Sequence, residues 1–291
     1  MKTYPFAAAR IFNTPLLIHP VKGEIIARAL SARLGITSVE FDGPAVMAGD
    51  WYGDDDVPAG DGPAPDRGYD LVDGVAVVDI SGTLVHRNGY LRPSSGMLGY
   101  DGIRQTWINA LEDSAVRAIA AVCNSPGGEA SGCFDLCDFI ADHRGAKPTV
   151  AILDDIAFSA CYAIASACDQ IVVPRTGGTG SVGVVAMHAD WSKRLAAEGV
   201  KVTIFQYGDR KADGNEYFPL SPEARERFQA DIDELGRIFV DTVARNRGMT
   251  TAAVRKTQAA TYLGAAGVEV GFADAVAAPD EAFQSLLAQL G

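Results

Sequence analysis

Ser159 and Lys211 are the two residues of this chain whose types and settings could together break an acyl bond. Ser159 lies in Ile156-Ala157-Phe158-Ser159-Ala160-Cys161-Tyr162-Ala163, and Lys211 in Gly208-Asp209-Arg210-Lys211-Ala212-Asp213-Gly214-Asn215. A serine hydroxyl is a weak nucleophile until a neighbouring base takes its proton. A lysine serves as that base only when its amine is neutral. An ordinary lysine, of pKa about 10.4, is neutral in about one molecule in 2,500 at pH 7. Burial must bring that value down to roughly 7.4, at a cost of about 4 kcal/mol in the folded state. Such a lysine needs an apolar shell and a hydroxyl partner, and Ser181 in Thr179-Gly180-Ser181-Val182-Gly183 is a candidate for that hydroxyl. Asn124-Ser125-Pro126-Gly127-Gly128 offers oxyanion donors, because glycine reaches positive φ and can aim an N–H outward. Paired with the Ala160 N–H, unbonded at a helix start, a glycine N–H completes a two-donor hole. One such donor is worth about 2.7–4 kcal/mol in a transition state.

Each of these residues also has a plainer reading. Serine is a favoured N-cap, a lysine beside a polar turn is ordinarily solvated, and Pro-Gly-Gly is a common strand-to-helix turn. The Thr179–Gly183 stretch lacks the Gly-Lys-Ser/Thr that a Walker-type phosphate cradle needs. A serine–histidine arrangement has few candidates. His19 lies in the N-terminal stretch, His143 sits in a charged Asp142-His143-Arg144, and His86 and His188 lie near strands without an obvious acidic partner.

The bulk properties narrow the classes. The chain has 291 residues, 48% of them hydrophobic, enough for one large α/β domain and an appendage. A net charge of −12 with no basic patch argues against nucleic acid and anionic membrane surfaces. The five cysteines, Cys123, Cys133, Cys137, Cys161 and Cys168, fall in apolar stretches and read as buried, reduced thiols. They form no Cys-x-x-Cys pair, and no metal or cofactor is expected. No apolar run reaches the length of a membrane span, and Arg10 interrupts the short apolar start, so the expectation is a cytoplasmic protein without a signal peptide.

Around these residues the hydrophobic pattern sets the elements. Residues 1–41 read as an extension, an extended piece followed by a helix with Ile25, Ile26, Leu30 and Leu34 at helical spacing. Residues 42–70, rich in Gly, Pro and Asp and carrying Asp54-Asp55-Asp56, read as a solvated linker. From residue 71 strands alternate with helices. Strands are expected at Val75–Ile80, Val116–Val122, Thr149–Leu153, Ile171–Val173 and Val202–Phe205. Helices are expected at Asp101–Leu111, Ala130–His143, Ser159–Ala167, Asp190–Glu198 and Ser221–Arg247, the last opening on an N-cap, a proline and an acid. The alternation predicts a mostly parallel sheet covered by helices. The expected Val202–Phe205 strand would present Lys211 from its end.

Taken together, Ser125-Pro126-Gly127-Gly128, Ser159 before Tyr162–Ala167, Thr179–Gly183 and Lys211-Ala212-Asp213-Gly214-Asn215 resemble the signal peptide peptidase A family of Ser–Lys peptidases. Val77–Leu84, Ser95–Tyr100 and Gly264–Asp274 support the resemblance, and Phe12–Leu16 is similar to its bacteriophage branch of lambda-type capsid assembly proteases. The resemblance implies a ClpP/crotonase-like fold of stacked ββα units. By position it implies Ser159 as nucleophile, Lys211 as general base, Ser181 orienting Lys211, and Gly128 with Ala160 as oxyanion donors. It implies protein substrates of the phage head and assembly into homo-oligomeric rings, with an association with proheads. Some members build each site from two protomers, so the lysine serving Ser159 is either this chain's own or a neighbour's. Two departures stand out. Ala160 and Cys161 replace two glycines that often follow the nucleophile, which narrows the pocket. The C-terminal scaffold region of the lambda-type proteases is also not evident here.

Three functions follow for comparison: a Ser–Lys endopeptidase acting on phage or prophage head proteins, a catalytically silent capsid scaffold or interaction protein of the same fold, and a crotonase-type acyl-CoA enzyme.

Overall fold

The computed structural model describes residues 15–18 and 66–291. The expected helix after residue 18, and the acidic linker up to residue 65, lie outside the described residues. In chain order the elements are β1 (Leu16–Ile18), β2 (Asp70–Val72), β3 (Val75–Ser81), β4 (Thr83–Val85), β5 (Met97–Gly99), α1 (Tyr100–Glu112), β6 (Ala118–Ser125), β7 (Gly127–Glu129), α2 (Cys133–Asp142), β8 (Thr149–Phe158) and α3 (Ala160–Ser166). They continue with β9 (Gln170–Val173), β10 (Gly178–Gly180), α4 (Ser192–Ala197), α5 (Pro222–Arg247), α6 (Thr251–Lys256), β11 (Thr261–Leu263), α7 (Ala265–Glu269), β12 (Ala275–Val276) and α8 (Pro279–Leu290). The α/β class with a mostly parallel sheet is what the strand–helix alternation required.

The larger sheet runs β11-β10-β8-β6-β3-β2, with β9 on β8 and β12 on β9. Its centre, β3, β6, β8 and β10, is parallel. Central parallel strands are buried on both faces and so are apolar throughout. Along β8, Val150 and Ile152 pack with Ala282 and Leu286 of α8. Ala151 and Leu153 point the other way, into the main core with Ile164 of α3 and Phe239 of α5. Helices therefore cover both faces. A second sheet, β1-β7-β4-β5, stands beside the first and carries the Gly127-Gly128 segment in its interior.

Two sequence expectations need correction. The strand expected at Thr149–Leu153 continues to Phe158, so Ser159 follows it directly. A register shift opposite Cys123 and Ser125 lets β8 bend there and pair onward through Ala157. The strand expected at Val202–Phe205 does not form. Its apolar residues suit a strand, but among the described residues no neighbouring strand offers it a ladder, and Phe205 is 94% exposed. Lys211 is accordingly presented from a turn, not a strand end.

The helix that begins after Ser159 is held from its far side. The Tyr162 hydroxyl donates to the Phe272 carbonyl at 3.1 Å and the two rings lie 4.8 Å apart. Two residues on, Asp274 takes both Arg247 nitrogens, at 2.9 and 2.7 Å, and the Ile171 N–H at 2.7 Å. Partial burial opposes the Asp274 carboxylate, but the Arg247 guanidinium and the Ile171 N–H outweigh it and hold its pKa below the ordinary value of 3.8. A depressed carboxylate stabilises the fold above its unfolded pKa, and that contribution disappears as pH falls through the folded one. Asp274→Asn should therefore cost about 1–3 kcal/mol at pH 7 by leaving the Arg247 charge without its partner. In urea unfolding over a pH series, the gap from the unaltered protein should close below about pH 4.

Candidate active site

Three of the sequence-selected segments meet at the C-terminal ends of parallel strands. β8 delivers Ser159. β10 beside it, with Gly180 opposite Phe158, delivers Ser181. The Ser159 N–H donates to the Gly180 carbonyl at 2.8 Å, tying the two turns together. From the other side comes Gly127: a methyl built on it would lie 2.9 Å from Ser159 Cβ and 3.1 Å from the Ala160 nitrogen. Ser125 shapes that approach, since its hydroxyl donates to the Gly82 carbonyl at 2.6 Å and accepts the Gly127 N–H at 3.1 Å. Gly127 has φ +102°, which side chains avoid. Gly128 is packed so tightly that an added methyl would sit 1.8 Å from the Leu84 carbonyl oxygen.

Ser159 is not a cap. It stands at the N-cap position of α3, but its side chain makes no capping bond. Its Oγ is buried without any hydrogen-bond partner, alone in this among the described side chains. Its backbone is at φ 55° and ψ −120°, a region that costs a residue with a Cβ about 1–3 kcal/mol. Gly264 makes the same turn at the head of α7, with φ 45° and ψ −118°. There the chain uses glycine, the residue the geometry favours. At position 159 it keeps a serine, accepting both strain and an unsatisfied buried hydroxyl. That combination is expected where a hydroxyl must be presented at a sharp strand-to-helix turn for reaction. Ser181 also has a positive φ, 56°, and is almost completely buried.

Lys211 is elsewhere. It is exposed, in a turn where its N–H bonds the Gly208 carbonyl at 3.1 Å. The turn is anchored behind it: Asp213 pairs with Arg227 of α5, and the Asn215 carbonyl meets His188 Nε2 at 3.0 Å. The chain on either side of Lys211 carries exposed apolar side chains: Phe205 and Tyr207 extend into solvent, and Val200, Tyr217 and Phe218 are also exposed. Since Ser159 Oγ has no partner, the lysine does not reach it within this chain. None of the described histidines serves instead. His86 Nδ1 pairs with the Ser131 hydroxyl at 2.8 Å, and His143 Nδ1 with the Phe139 carbonyl at 2.7 Å. The five cysteines are free and buried. Among the described residues no His/Cys/Asp/Glu group is arranged to hold a metal ion, and no helix is long and apolar enough to cross a membrane.

The sequence reading missed one participant. β1, from the N-terminal stretch, lies antiparallel to β7 with Leu17 opposite Gly128. A three-residue apolar run gives no periodicity, and nothing local predicts its partner.

The backbone strain predicts a stability difference. Both Ser159→Ala and Ser159→Gly remove the buried hydroxyl, but only glycine also relieves the turn. Ser159→Gly should be the more stable of the two by about 1 kcal/mol, read from thermal melts of both proteins. A more stable alanine variant would contradict the strained-turn account.

Comparison with known proteins places these residues in context. The model of Peptidase family S49 matches residues 141–291, a span that contains Ser159, Ser181 and Lys211. The chain is 40% identical over 273 residues to the head-tail preconnector protein GP5 of Enterobacteria phage P21, covering 91% of this chain and 54% of that protein. It is 35% identical over 282 residues to capsid assembly protease C of Escherichia phage lambda, covering 94% and 63%. The chain thus spans between half and two thirds of these relatives' length. Among solved structures, an enoyl-CoA hydratase from Shewanella pealeana aligns with a TM-score of 0.45 at 12% identity, over 76% of this chain and 72% of that one.

Proposed function

The chain belongs to peptidase family S49, and from that premise we propose that it is a serine endopeptidase whose Ser159 is activated by Lys211 of a neighbouring copy. The observation that carries the reading is Ser159 itself: strained, buried, without a partner, and bordered by Gly127 and the Ala160 N–H. A nucleophile awaiting its base fits those facts, and a structural serine does not. The exposed setting of Lys211 supports supply in trans. A turn anchored on α5 and flanked in sequence by exposed aromatic side chains is the kind of surface that another protein covers. A second copy, docking that surface over the Ser159 turn, would desolvate the lysine, and Ser181 would orient it.

In the proposed reaction the Lys211 amine takes the Ser159 proton, and Oγ attacks the substrate carbonyl. The oxyanion is held by the Gly128 and Ala160 N–H groups. The lysine then returns its proton to the departing amine, and water releases the acyl group by the same route. The named activity of the lambda relative, and the head-associated name of the P21 relative, favour capsid or prohead proteins as substrates. No cofactor is required for this chemistry.

The trans arrangement makes a specific prediction. Ser159→Ala and Lys211→Ala proteins should each be inactive on a protein substrate. Mixed one to one under conditions that exchange subunits, they should recover up to about a quarter of the unaltered activity, because one site in four would pair an intact serine with an intact lysine. Recovery absent from demonstrably mixed assemblies would contradict supply in trans. Undiminished cleavage by Ser159→Ala would overturn Ser159 as the nucleophile, whereas an unaltered assembly that cleaves nothing would leave the chain as a scaffold of the same fold.

A lysine base also fixes the sign of the pH dependence. Its neutral form is the active one, so kcat/KM should rise with pH along a single limb and fall about ten-fold for each pH step on the acid side. A flat profile down to about pH 5 would argue against it.

A further inference from the structure

The approach to Ser159 is already occupied by a peptide, and that peptide is the chain itself. β1 lies between two segments of the site. On one side it pairs antiparallel with β7, Leu16 with Glu129, Leu17 with Gly128 and Ile18 with Gly127. On the other, Leu16 exchanges two backbone bonds with Val185, four residues beyond Ser181, at 2.8 and 3.0 Å. Facing residues in an antiparallel pair alternate between hydrogen-bonded and non-bonded. The Ala130 N–H donates to the Pro15 carbonyl at 3.3 Å, which sets the phase. Two residues along, Leu17 and Gly128 are again a hydrogen-bonded pair, so the Leu17 carbonyl faces the Gly128 N–H, the donor assigned above to the oxyanion. The space a methyl on Gly127 would fill is bordered at 2.1 Å by that same Leu17 oxygen and at 2.9 Å by Ser159 Cβ. All three β1 side chains are buried, Leu17 completely.

We infer that Leu16–Ile18 is a placeholder for substrate: it fills the groove in which an extended aliphatic peptide binds as an added strand, and it must leave before such a peptide can enter. An extended chain in this groove satisfies the open edge of β7 on one side and Val185 on the other, the recognition mode in which main-chain bonds supply affinity and side-chain pockets supply selection. The pockets now holding Leu16, Leu17 and Ile18 set that selection as medium-sized aliphatic residues around the carbonyl presented to Ser159. Occupancy also accounts for the burial of Ser159 Oγ in a protein whose nucleophile must otherwise be reachable. With β1 in place the enzyme is closed to other chains.

The inference rests on the peptidase reading only for the identity of the groove's substrate, so its test is binding and not turnover. Full-length Ser159→Ala protein is compared with the same protein carrying Leu16→Pro, which removes the N–H given to Val185, or Ile18→Asp, which puts a carboxylate at a buried position. The probe is a fluorescein-labelled octapeptide with the sequence of residues 13–20, followed by anisotropy. Both variants should bind it saturably with a Kd at least about ten-fold lower than the protein with an intact strand. Circular dichroism identifies a variant that fails to fold, and the other then decides. Equal affinity in all three proteins, or no saturable binding to any, overturns the inference. A protein that shows the binding difference yet, with Ser159 restored, hydrolyses nothing would retain the groove and lose only the peptidase reading.

Discussion

The site depends on the 2.8 Å bond from the Ser159 N–H to the Gly180 carbonyl. Through it, the end of β8 is tied to the end of β10 at the point where both chains leave the sheet. Ser159 is thereby forced into a backbone conformation that only glycine adopts freely, and Ser181, one residue past Gly180, also has a positive φ. Neither hydroxyl could be aimed in this way by a relaxed turn. The large parallel sheet, its helices on both faces and the Tyr162 hydroxyl on the Phe272 carbonyl serve to make that bond unavoidable. Strain of this size persists only when the surrounding structure over-determines it.

The same turn leaves the chemistry unfinished. Ser159 and the proposed oxyanion donors, Gly128 and Ala160, belong to the sheet ends, where small displacements are resisted by close packing. The lysine belongs to an exposed turn flanked in sequence by exposed aromatic side chains, with no covering element among the described residues. On the proposed reading this division would separate what must be accurate before assembly from what is brought up by assembly. A neutral lysine is costly in an isolated chain, because water stabilises the ammonium form. Deferring its burial to contact with another copy would confine the active state to the assembled form. On the proposed reading the occupied groove would act in the same direction, since both devices would keep a protease from acting before its partners are present.

Much of this was legible in the residues. Ser159, Ser181 and the Gly127-Gly128 pair could be chosen because their motifs occur together and in order; taken singly, each fits an ordinary cap or turn. The long strands and helices were legible because their apolar spacing is dictated by burial on one or both faces. What could not be read was non-local. β4, β5, β7, β10 and β11 are three residues each, too short to carry a period, and exist because a neighbour pairs with them. Val202–Phe205 shows the converse, a run with strand composition and no partner. Leu16–Ile18 reads as an appendage until its register with Gly127–Glu129 is seen. The position of Lys211 relative to Ser159 is not a property of one chain's sequence at all if a second chain closes the site.

A structure of the assembled protein at side-chain resolution tests the central claim most directly. The account predicts that Nζ of Lys211 from one copy lies within hydrogen-bonding distance, about 2.6–3.2 Å, of Oγ of Ser159 in its neighbour, enclosed by the aromatic side chains that are uncovered in the single chain. An ordered assembly in which every Lys211 amine remains in solvent, remote from all copies of Ser159, would contradict it.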